Sequence, residues 1–264
     1  MPPKPTSHRP RKRFGQNFLT DHSVIDRIAG AIAARSSDHL VEIGPGQGAL
    51  TEALAPVGCQ LDVIELDRDL IAGLLAAFSI YPDFTLHSAD ALNFDFASLA
   101  VNGEPLRVVG NLPYNISTPL IFKLLDNAGI IRDMHFMLQL EVVQRLAASP
   151  GNKHWGRLGI MAQYHCQVEQ LFDVPPEAFN PPPRVQSAIV RLTPHAERPW
   201  PECDETRLRQ VVQASFAQRR KTLRNNLKGL IDGSALEHLG IDPGARAETL
   251  ELSQFIEITK AVHA

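Results

Sequence analysis

The 264-residue sequence has few cysteines and no long apolar run, and these shortages exclude several classes of protein. Cys59, Cys166 and Cys203 are far apart and form no CxxC pair, so a disulfide framework or a zinc site is not expected. No stretch approaches the roughly 18 uninterrupted apolar residues of a membrane-spanning helix. The basic N-terminal residues have no apolar core, unlike a secretory signal. We therefore expect a cytoplasmic protein without a metal and without a membrane partner.

Net charge is also low, at −3, yet the positive charge is concentrated in two segments. Residues 1–20 carry five basic and no acidic side chains, and residues 205–228 carry seven basic side chains and one acid. The rest of the chain is accordingly acidic. Two basic segments on an acidic protein are typical of a protein that handles a polyanion. A basic tail and a solvated helix face would produce the same pattern, so charge alone leaves both explanations open.

Short apolar runs alternate with helical patterns, which is typical of a parallel sheet covered by helices on both faces. After residue 194 only helical patterns follow, and a stretch rich in proline and charge over 194–203 marks a boundary. Strands are predicted at 39–44, 60–67, 83–90, 106–114, 134–140 and 185–192, with helices at 21–35, 68–78, 117–127 and 141–148. We predict a flexible basic tail over 1–13, an α/β domain over 14–194 and a small helical domain over 195–264.

A glycine-rich loop, EIGPGQGALT at 42–51, follows a predicted strand and opens a helix. Gly44 and Gly46 allow the backbone to turn tightly and to approach a ligand closely. Glu65 lies 21 residues beyond Gly44, at the spacing where an acid after the second strand binds a ribose hydroxyl. The loop fits a dinucleotide enzyme and an S-adenosylmethionine enzyme equally well.

Two acidic residues favour S-adenosylmethionine. Glu42 precedes the loop, where a carboxylate suits a ligand with an ammonium and a sulfonium and would repel a pyrophosphate. Asp90 ends the third predicted strand and can accept a hydrogen bond from the amino group of an adenine lying across the strand ends. Taken alone, Asp90 is better explained as a turn former or a helix cap.

The four residues Asn111, Leu112, Pro113 and Tyr114 close the fourth predicted strand. They resemble the Asn/Asp-Pro-Pro-Tyr/Phe motif of enzymes that methylate exocyclic amino groups of nucleobases. The lone pair of such a nitrogen is delocalised into the ring, so two carbonyl acceptors are needed to hold its hydrogens and favour a pyramidal nitrogen. Proline stiffens the turn, and tyrosine offers a stacking face for an extruded base. Out of context, an ordinary Asn-x-Pro turn explains these residues as well.

Several motifs follow one another in a fixed order, and together they are similar to the ribosomal RNA adenine dimethyltransferase family, nearest to its bacterial small-subunit branch. They are RFGQNFL at 13–19, the glycine loop, Glu65, Asp90, NLPYNIS at 111–117, AFNPPPRVQSA at 178–188 and SFAQRRKTLRNNL at 215–227. The resemblance implies a Rossmann-like class I S-adenosylmethionine-dependent methyltransferase domain, with a mostly parallel seven-stranded sheet and a small all-α C-terminal domain. It also implies methylation of N6 on two adjacent adenines in the 3′-terminal hairpin loop of 16S rRNA, on a nearly assembled small ribosomal subunit.

The resemblance also assigns roles to individual residues. Those implied to bind S-adenosyl-L-methionine are Gln16, Asn17, Leu19, Gly44, Gly46, Glu65, Asp90 and Asn111. The catalytic motif is Asn111, Leu112, Pro113 and Tyr114. Tyr114 and Phe179 are implied to stack on the target base, although Phe179 is nearly as well explained as a core aromatic ahead of a turn. Phosphate contacts are implied for Arg219, Arg220, Lys221 and Arg224.

Three other functions remain open at this point. An enzyme of the antibiotic-resistance type would dimethylate one adenine of large-subunit rRNA, but the NLPYNIS and QRRKTLRNNL stretches fit the small-subunit branch better. A nucleic-acid-binding factor on a retained methyltransferase fold would not need an intact glycine loop. A dinucleotide oxidoreductase would leave the NLPY motif and both basic segments unexplained. No apolar stripe is left over for a partner subunit, so we expect a monomer.

Overall fold

A computed structural model describes residues 16–100 and 103–262. The predicted tail over 1–13 and the first two residues of the predicted α/β domain lie outside this described part. The chain divides into two compact units, and the first comprises residues 1–143 and 169–194. The second comprises residues 144–168 and 195–264. It therefore contains a segment, 144–168, that the sequence analysis assigned to the α/β domain.

The first unit is built on a mostly parallel seven-stranded sheet, as predicted from the sequence. The strands of this sheet are β2 (His39–Ile43), β3 (Gln60–Glu65), β4 (Phe84–Ser88), β5 (Leu106–Asn111), β6 (Ile131–Gln139), β7 (Cys166–Val174) and β9 (Ser187–Pro194), of which β7 begins within the segment assigned to the second unit. They lie in the order β4-β3-β2-β5-β6-β9-β7, and β9 runs antiparallel to β6. A two-stranded sheet pairs β1 (Phe18–Leu19) with β8 (Phe179–Asn180). Chain order reverses between β2 and β5, which is where open α/β sheets bind ligands.

Capping residues and apolar periodicity explain where the helices of the first unit begin. Asp21 and Asp67 accept hydrogen bonds from the first backbone amides of two of them, as good N-caps do. Each of these two helices then buries one stripe, such as Leu70, Leu74 and Phe78. The helices are α1 (His22–Ile32), α2 (Ala49–Leu54), α3 (Arg68–Phe78), α4 (Ser117–Asp126) and α5 (Leu140–Leu146), of which α5 crosses into the second unit.

One face of the sheet carries both core and polar residues. The core residues Leu40, Val63, Val109 and Met137 belong to one apolar cluster with the buried side of α1. Because successive side chains of a strand alternate between faces, residues two positions further along these strands lie on the same face at the carboxyl ends. The face that holds the core thus also presents Glu42, Glu65 and Asn111 at its upper edge.

The second unit is helical, and past residue 194 its described part contains no strand. Its helices are α6 (Arg157–His165), α7 (Glu205–Ser215), α8 (Leu223–Asn226), α9 (Gly233–His238) and α10 (Leu252–Ala261). The indole nitrogen of Trp155 donates to the carbonyl of Leu250 at 2.9 Å, which ties residues 144–168 to the C-terminal helices. No helix in the described part of the chain is long and apolar enough to span a membrane.

Candidate active site

The glycine loop turns at the carboxyl end of β2, and positive φ angles require its glycines. Gly44, Gly46 and Gly48 have φ of 68°, 61° and 85°, a backbone region that residues other than glycine rarely adopt. A Cβ on Gly48 would lie 2.5 Å from the ring of Phe78, and one on Gly46 would lie 3.1 Å from the ring of Phe18. The loop therefore packs tightly against its surroundings, and a side chain at Gly46 or Gly48 would disturb that packing.

Glu65, the last residue of β3, fixes the position of the loop. Its two carboxylate oxygens accept hydrogen bonds from the backbone amides of Gly46, at 3.1 Å, and Asp67, at 2.7 Å. Burial raises the pKa of Glu65, and these two hydrogen bonds act in the opposite direction. Each carboxylate oxygen has two lone pairs, so the group can still accept from a ligand hydroxyl. The sequence predicted a ribose contact here and did not predict the brace to the loop.

Glu42, the acid before the loop, is buried among apolar neighbours. It is 2% exposed and accepts a hydrogen bond from the hydroxyl of Thr51 on α2 at 2.7 Å. Burial, together with the nearby carboxylate of Glu65, raises the pKa of Glu42 to about 7. The hydrogen bond from Thr51 acts in the opposite direction and is outweighed. Its charge therefore changes near neutral pH.

The structure brings all eight predicted donor-binding residues to one cleft. The cleft lies over the carboxyl ends of β2, β3 and β5, and most of its lining comes from residues 16–19, 42–47, 64–67, 89–91 and 110–116. Gln16 reaches it from the N-terminal segment, and its side-chain amide donates to the carboxylate of Asp67 at 2.9 Å. This pairing of residues 51 positions apart was not predicted.

Asp90 lines the cleft and also forms a turn. One carboxylate oxygen accepts from the backbone amide of Leu92 and the other from the side-chain amide of Asn93, both at 2.9 Å. The turn-forming role that the sequence allowed is thus present. Each oxygen keeps a lone pair for a ligand, so the turn holds the carboxylate at the cleft without using up its acceptors.

The NLPY motif lies directly beside the glycine loop. Gly110 makes this approach possible, because a Cβ there would lie 2.4 Å from the carbonyl oxygen of Ile43. The carbonyl oxygen of Asn111 is 3.8 Å from the ideal Cβ position of Gly44. Any ligand held by the loop is therefore adjacent to any group held by the motif.

Hydrogen bonds to other parts of the first unit hold the residues of the motif. The side-chain amide of Asn111 donates to the carbonyl of Asn17 at 3.1 Å, which leaves the Asn111 side-chain oxygen as an acceptor. The backbone amide of Leu112 donates to the carbonyl of Met137 at 3.2 Å. The hydroxyl of Tyr114 lies 3.0 Å from that of Ser187. Burial raises the pKa of Tyr114 despite this hydrogen bond, so the phenol stays neutral. The hydrogen bond to Ser187 restrains the orientation of the ring.

Phe179 does not reach the cleft. It lies in β8 opposite Leu19 of β1, is 3% exposed, and packs in the apolar core of the first unit. Stacking on a base would require its side chain to leave that core. The structure thus packs Phe179 as the core aromatic that the sequence allowed as its alternative, and its stacking on a base stays a prediction.

The sequence analysis did not identify His135 as a polar residue of the cleft. His135 on β6 is 3% exposed and lines the cleft, and its Nε2 has no hydrogen-bond partner within the described residues. Its Nδ1 lies 3.3 Å from a carboxylate oxygen of Asp133. In the sequence, His135 stands in the apolar run MHFML at 134–138. Only its spacing of two residues from Met137 indicates that the two side chains share one face of the sheet.

The predicted phosphate-binding residues form a basic turn in the second unit. Arg219, Arg220 and Lys221 lie between α7 and α8, Arg224 lies on α8, and all four are exposed. Arg219 donates to the carbonyl of Lys153, and Arg224 lies 3.9 Å from Glu237. The side-chain amide of Asn226 donates to the carbonyls of Ser215 and Gln218, at 2.6 and 3.1 Å. Asn226 thus fixes the basic turn, a role the sequence analysis did not identify.

Comparisons with known proteins agree with one another. A family model described as Ribosomal RNA adenine dimethylase matches residues 7–264. The chain is 61% identical over 251 residues to a Pseudomonas putida protein named Ribosomal RNA small subunit methyltransferase A, covering 95% of this chain and 94% of that protein. A dimethyladenosine transferase from Plasmodium falciparum is similar in structure, with a TM-score of 0.76, 25% identity, and coverage of 91% of this chain and 95% of that chain. The 23S rRNA methyltransferase ErmE gives a TM-score of 0.72 at 28% identity, covering 93% of this chain and 99% of that chain.

Proposed function

The chain belongs to the ribosomal RNA adenine dimethylase family, and from this premise we propose that it transfers methyl groups from S-adenosyl-L-methionine to N6 of adenine in small-subunit rRNA. The observation that carries the proposal is the contact between the glycine loop and the NLPY motif, which joins a nucleoside-binding cleft to a base-binding turn. Family membership decides against the dinucleotide oxidoreductase.

The choice of rRNA rests on the relatives. The Pseudomonas putida relative named for the small subunit is 61% identical to this chain, whereas the similar structure named for 23S rRNA is 28% identical. We propose that the targets are two adjacent adenines in the 3′-terminal hairpin loop of 16S rRNA, presented on a nearly assembled small subunit, and that the products are N6,N6-dimethyladenosines. A cytoplasmic location and a monomeric state stay predictions.

The charge of the cleft fits S-adenosyl-L-methionine. Its described lining contains no lysine or arginine, and four carboxylates face it, from Glu42, Glu65, Asp67 and Asp90. Such a lining repels a pyrophosphate and attracts a ligand with a sulfonium and an ammonium. Within it, Glu65 would accept from the ribose hydroxyls and Asp90 from the adenine amino group. No group of residues that could hold a metal is present in the described part of the chain.

The NLPY motif positions the target amine. When bound, the donor supplies an electrophilic methyl group on a sulfonium. The Asn111 side-chain oxygen and the Leu112 carbonyl would accept the two N6 hydrogens, which favours a pyramidal nitrogen with its lone pair directed at the methyl. Asn111 is held for this role by its hydrogen bond to Asn17. Catalysis of this kind is positioning for an in-line displacement and needs no strong general base.

Tyr114 supplies a stacking face for the extruded adenine. Its hydroxyl partner Ser187 fixes the ring, and stacking of a base on an aromatic side chain contributes about 1–3 kcal/mol. The second predicted face, Phe179, is buried in the core, so stacking on it would require its side chain to move toward the cleft.

Transfer of a labelled methyl group tests the proposed function. Undermethylated small subunits, large-subunit rRNA and no RNA are each incubated with the protein and methyl-labelled donor, and the RNA is then digested to nucleosides. We expect label in N6,N6-dimethyladenosine from small subunits alone. Label in large-subunit rRNA would favour the resistance-type enzyme, and donor binding without any transfer would favour a binding factor on a retained fold.

A further inference from the structure

Glu42 differs from the other three carboxylates that line the cleft. Glu65, Asp67 and Asp90 each accept two hydrogen bonds from backbone or side-chain amides. Within the described residues, Glu42 accepts a single hydrogen bond, from Thr51. Glu42 is also more deeply buried than the nearby Glu65. Its negative charge is therefore the least compensated in the cleft, and a buried charge acts strongly on a neighbouring ligand.

Glu42 lies beneath the place where the loop and the motif meet. It pairs with Val109 of β5, and Val109 pairs with His135 of β6, so Glu42 and His135 share one row on the same face of the sheet. Gly44 and Asn111, which approach each other above, are each two residues further along their strands. The other titratable groups that face the cleft are Glu65 and Asp67 at the end of β3, Asp90 after β4, Tyr114 and His135.

Methyl transfer removes one positive charge from the donor. The N6 lone pair forms the new N–C bond as the C–S bond breaks, the sulfur keeps the bonding electron pair and becomes neutral, and N6 then releases a proton. The spent product, S-adenosylhomocysteine, keeps the adenosine, the ammonium and the carboxylate. Donor and product thus share their hydrogen-bonding groups and differ in the methyl group and the charge on sulfur.

We propose that Glu42 makes the cleft distinguish the methyl donor, which carries a sulfonium, from its spent product, which has a neutral sulfur, so that the product leaves between successive transfers. The inference rests on the proposed function, because it requires the donor to bind in this cleft. Discrimination between donor and product is useful for dimethylation, because each adenine consumes two donor molecules and the spent product must leave before the next donor binds. Contacts shared by donor and product cannot give this preference, whereas an uncompensated carboxylate can.

The discrimination has a pH dependence of known sign. Burial raises the pKa of Glu42 to about 7, so the ionised fraction is about 0.9 at pH 8 and about 0.1 at pH 6. Protonation removes the charge that favours the sulfonium and leaves the contacts shared with the product. If only the ionised form favours the donor, the ratio of donor to product affinity falls by up to about tenfold between pH 8 and pH 6, and the limit is reached when that preference is strong.

Calorimetric titration with S-adenosylmethionine and S-adenosylhomocysteine at both pH values measures this ratio. Glu42→Gln keeps the shape of the side chain and removes the charge. Glu52→Gln is the matched control, because Glu52 is an exposed acid on the same helix as Thr51 and lies outside the cleft. His135→Asn is a second control, because His135 lines the cleft and shares a row of the sheet with Glu42. Protonation of the ligands themselves affects the wild type and the variants alike, so its effect cancels when each variant is compared with the wild type.

We expect the ratio to fall several-fold, by up to about tenfold, toward pH 6 in the wild-type, Glu52→Gln and His135→Asn proteins. In Glu42→Gln we expect a low ratio that does not depend on pH. Thr51→Val gives a second test that keeps the carboxyl. Loss of the hydrogen bond from Thr51 raises the pKa of Glu42 further, so the fall moves to higher pH. A ratio unchanged by Glu42→Gln at pH 8 would overturn this inference alone, whereas failure of both ligands to bind the wild-type protein would overturn the proposed function with it.

Discussion

Removal of the Glu65 carboxylate has two separable consequences. In Glu65→Ala the backbone amides of Gly46 and Asp67 lose their acceptors, and a ribose held by Glu65 loses its acceptor as well. A hydrogen bond to a charged group contributes about 1.5–3 kcal/mol. We therefore expect the affinity for S-adenosylmethionine to fall roughly 10- to 150-fold.

Stability is expected to change separately from affinity. Gly46 is part of the glycine loop, and the amide of Asp67 makes a buried hydrogen bond with Glu65. Leaving a buried amide without an acceptor costs about 1–3 kcal/mol, so Glu65→Ala should also lower the free energy of unfolding. Glu65→Gln keeps one acceptor oxygen, and we expect it to lose less stability than Glu65→Ala while still binding the donor weakly.

The assay is calorimetric titration of donor, with urea unfolding of the same preparations. Glu52→Ala is the control, because it removes an exposed acid on α2 and should change neither quantity appreciably. A folded Glu65→Ala protein that binds the donor as tightly as the wild type would refute the proposed contact between Glu65 and the ribose.

Three further perturbations have defined outcomes. Replacing the basic turn residues 219–221 with alanine should weaken RNA binding and reduce the slope of log affinity against log salt by about 2–3; an unchanged slope would mean that these charges face only water. Gly48→Ala should destabilise the protein by more than Gly58→Ala in urea unfolding, because both positions have positive φ but only at Gly48 does a Cβ meet a ring, that of Phe78; equal losses would refute the packing argument. Tyr114→Ala should slow methyl transfer about 5- to 150-fold, from about 1–3 kcal/mol of stacking, whereas Tyr114→Phe should retain most of the rate; equal rates for the two variants would contradict stacking.

The sequence predicted the first unit well where local signals agree with one another. Helix α3 occupies the predicted residues 68–78 because Asp67 caps it and its apolar residues repeat at helical spacing. The strands β2, β3 and β5 lie within their predicted ranges because they are buried almost throughout. The residues of the cleft come together because the carboxyl ends of parallel strands share one edge of the sheet.

Features that depend on distant contacts were not predicted. Strand β7 was missed because its residues are largely exposed or half-buried, and its run QVEQ is polar. The membership of 144–168 in the second unit depends on contacts such as that of Trp155 with Leu250, 95 residues away. Phe179 shows the same limit at the site, because an apolar aromatic beside a turn fits a core or a base equally well in sequence, and its burial depends on distant contacts.

Single-turnover methyl transfer by Asn111→Ala, measured beside donor and RNA binding, tests the central claim most directly. The claim is that Asn111 acts on the target amine while the cleft and the basic turn hold the two substrates. Because the Asn111 acceptor is needed in the transition state, we predict that transfer is lost even at saturating donor, while RNA affinity stays within a few-fold of the wild type. Transfer at the wild-type rate by a folded Asn111→Ala protein would contradict the account.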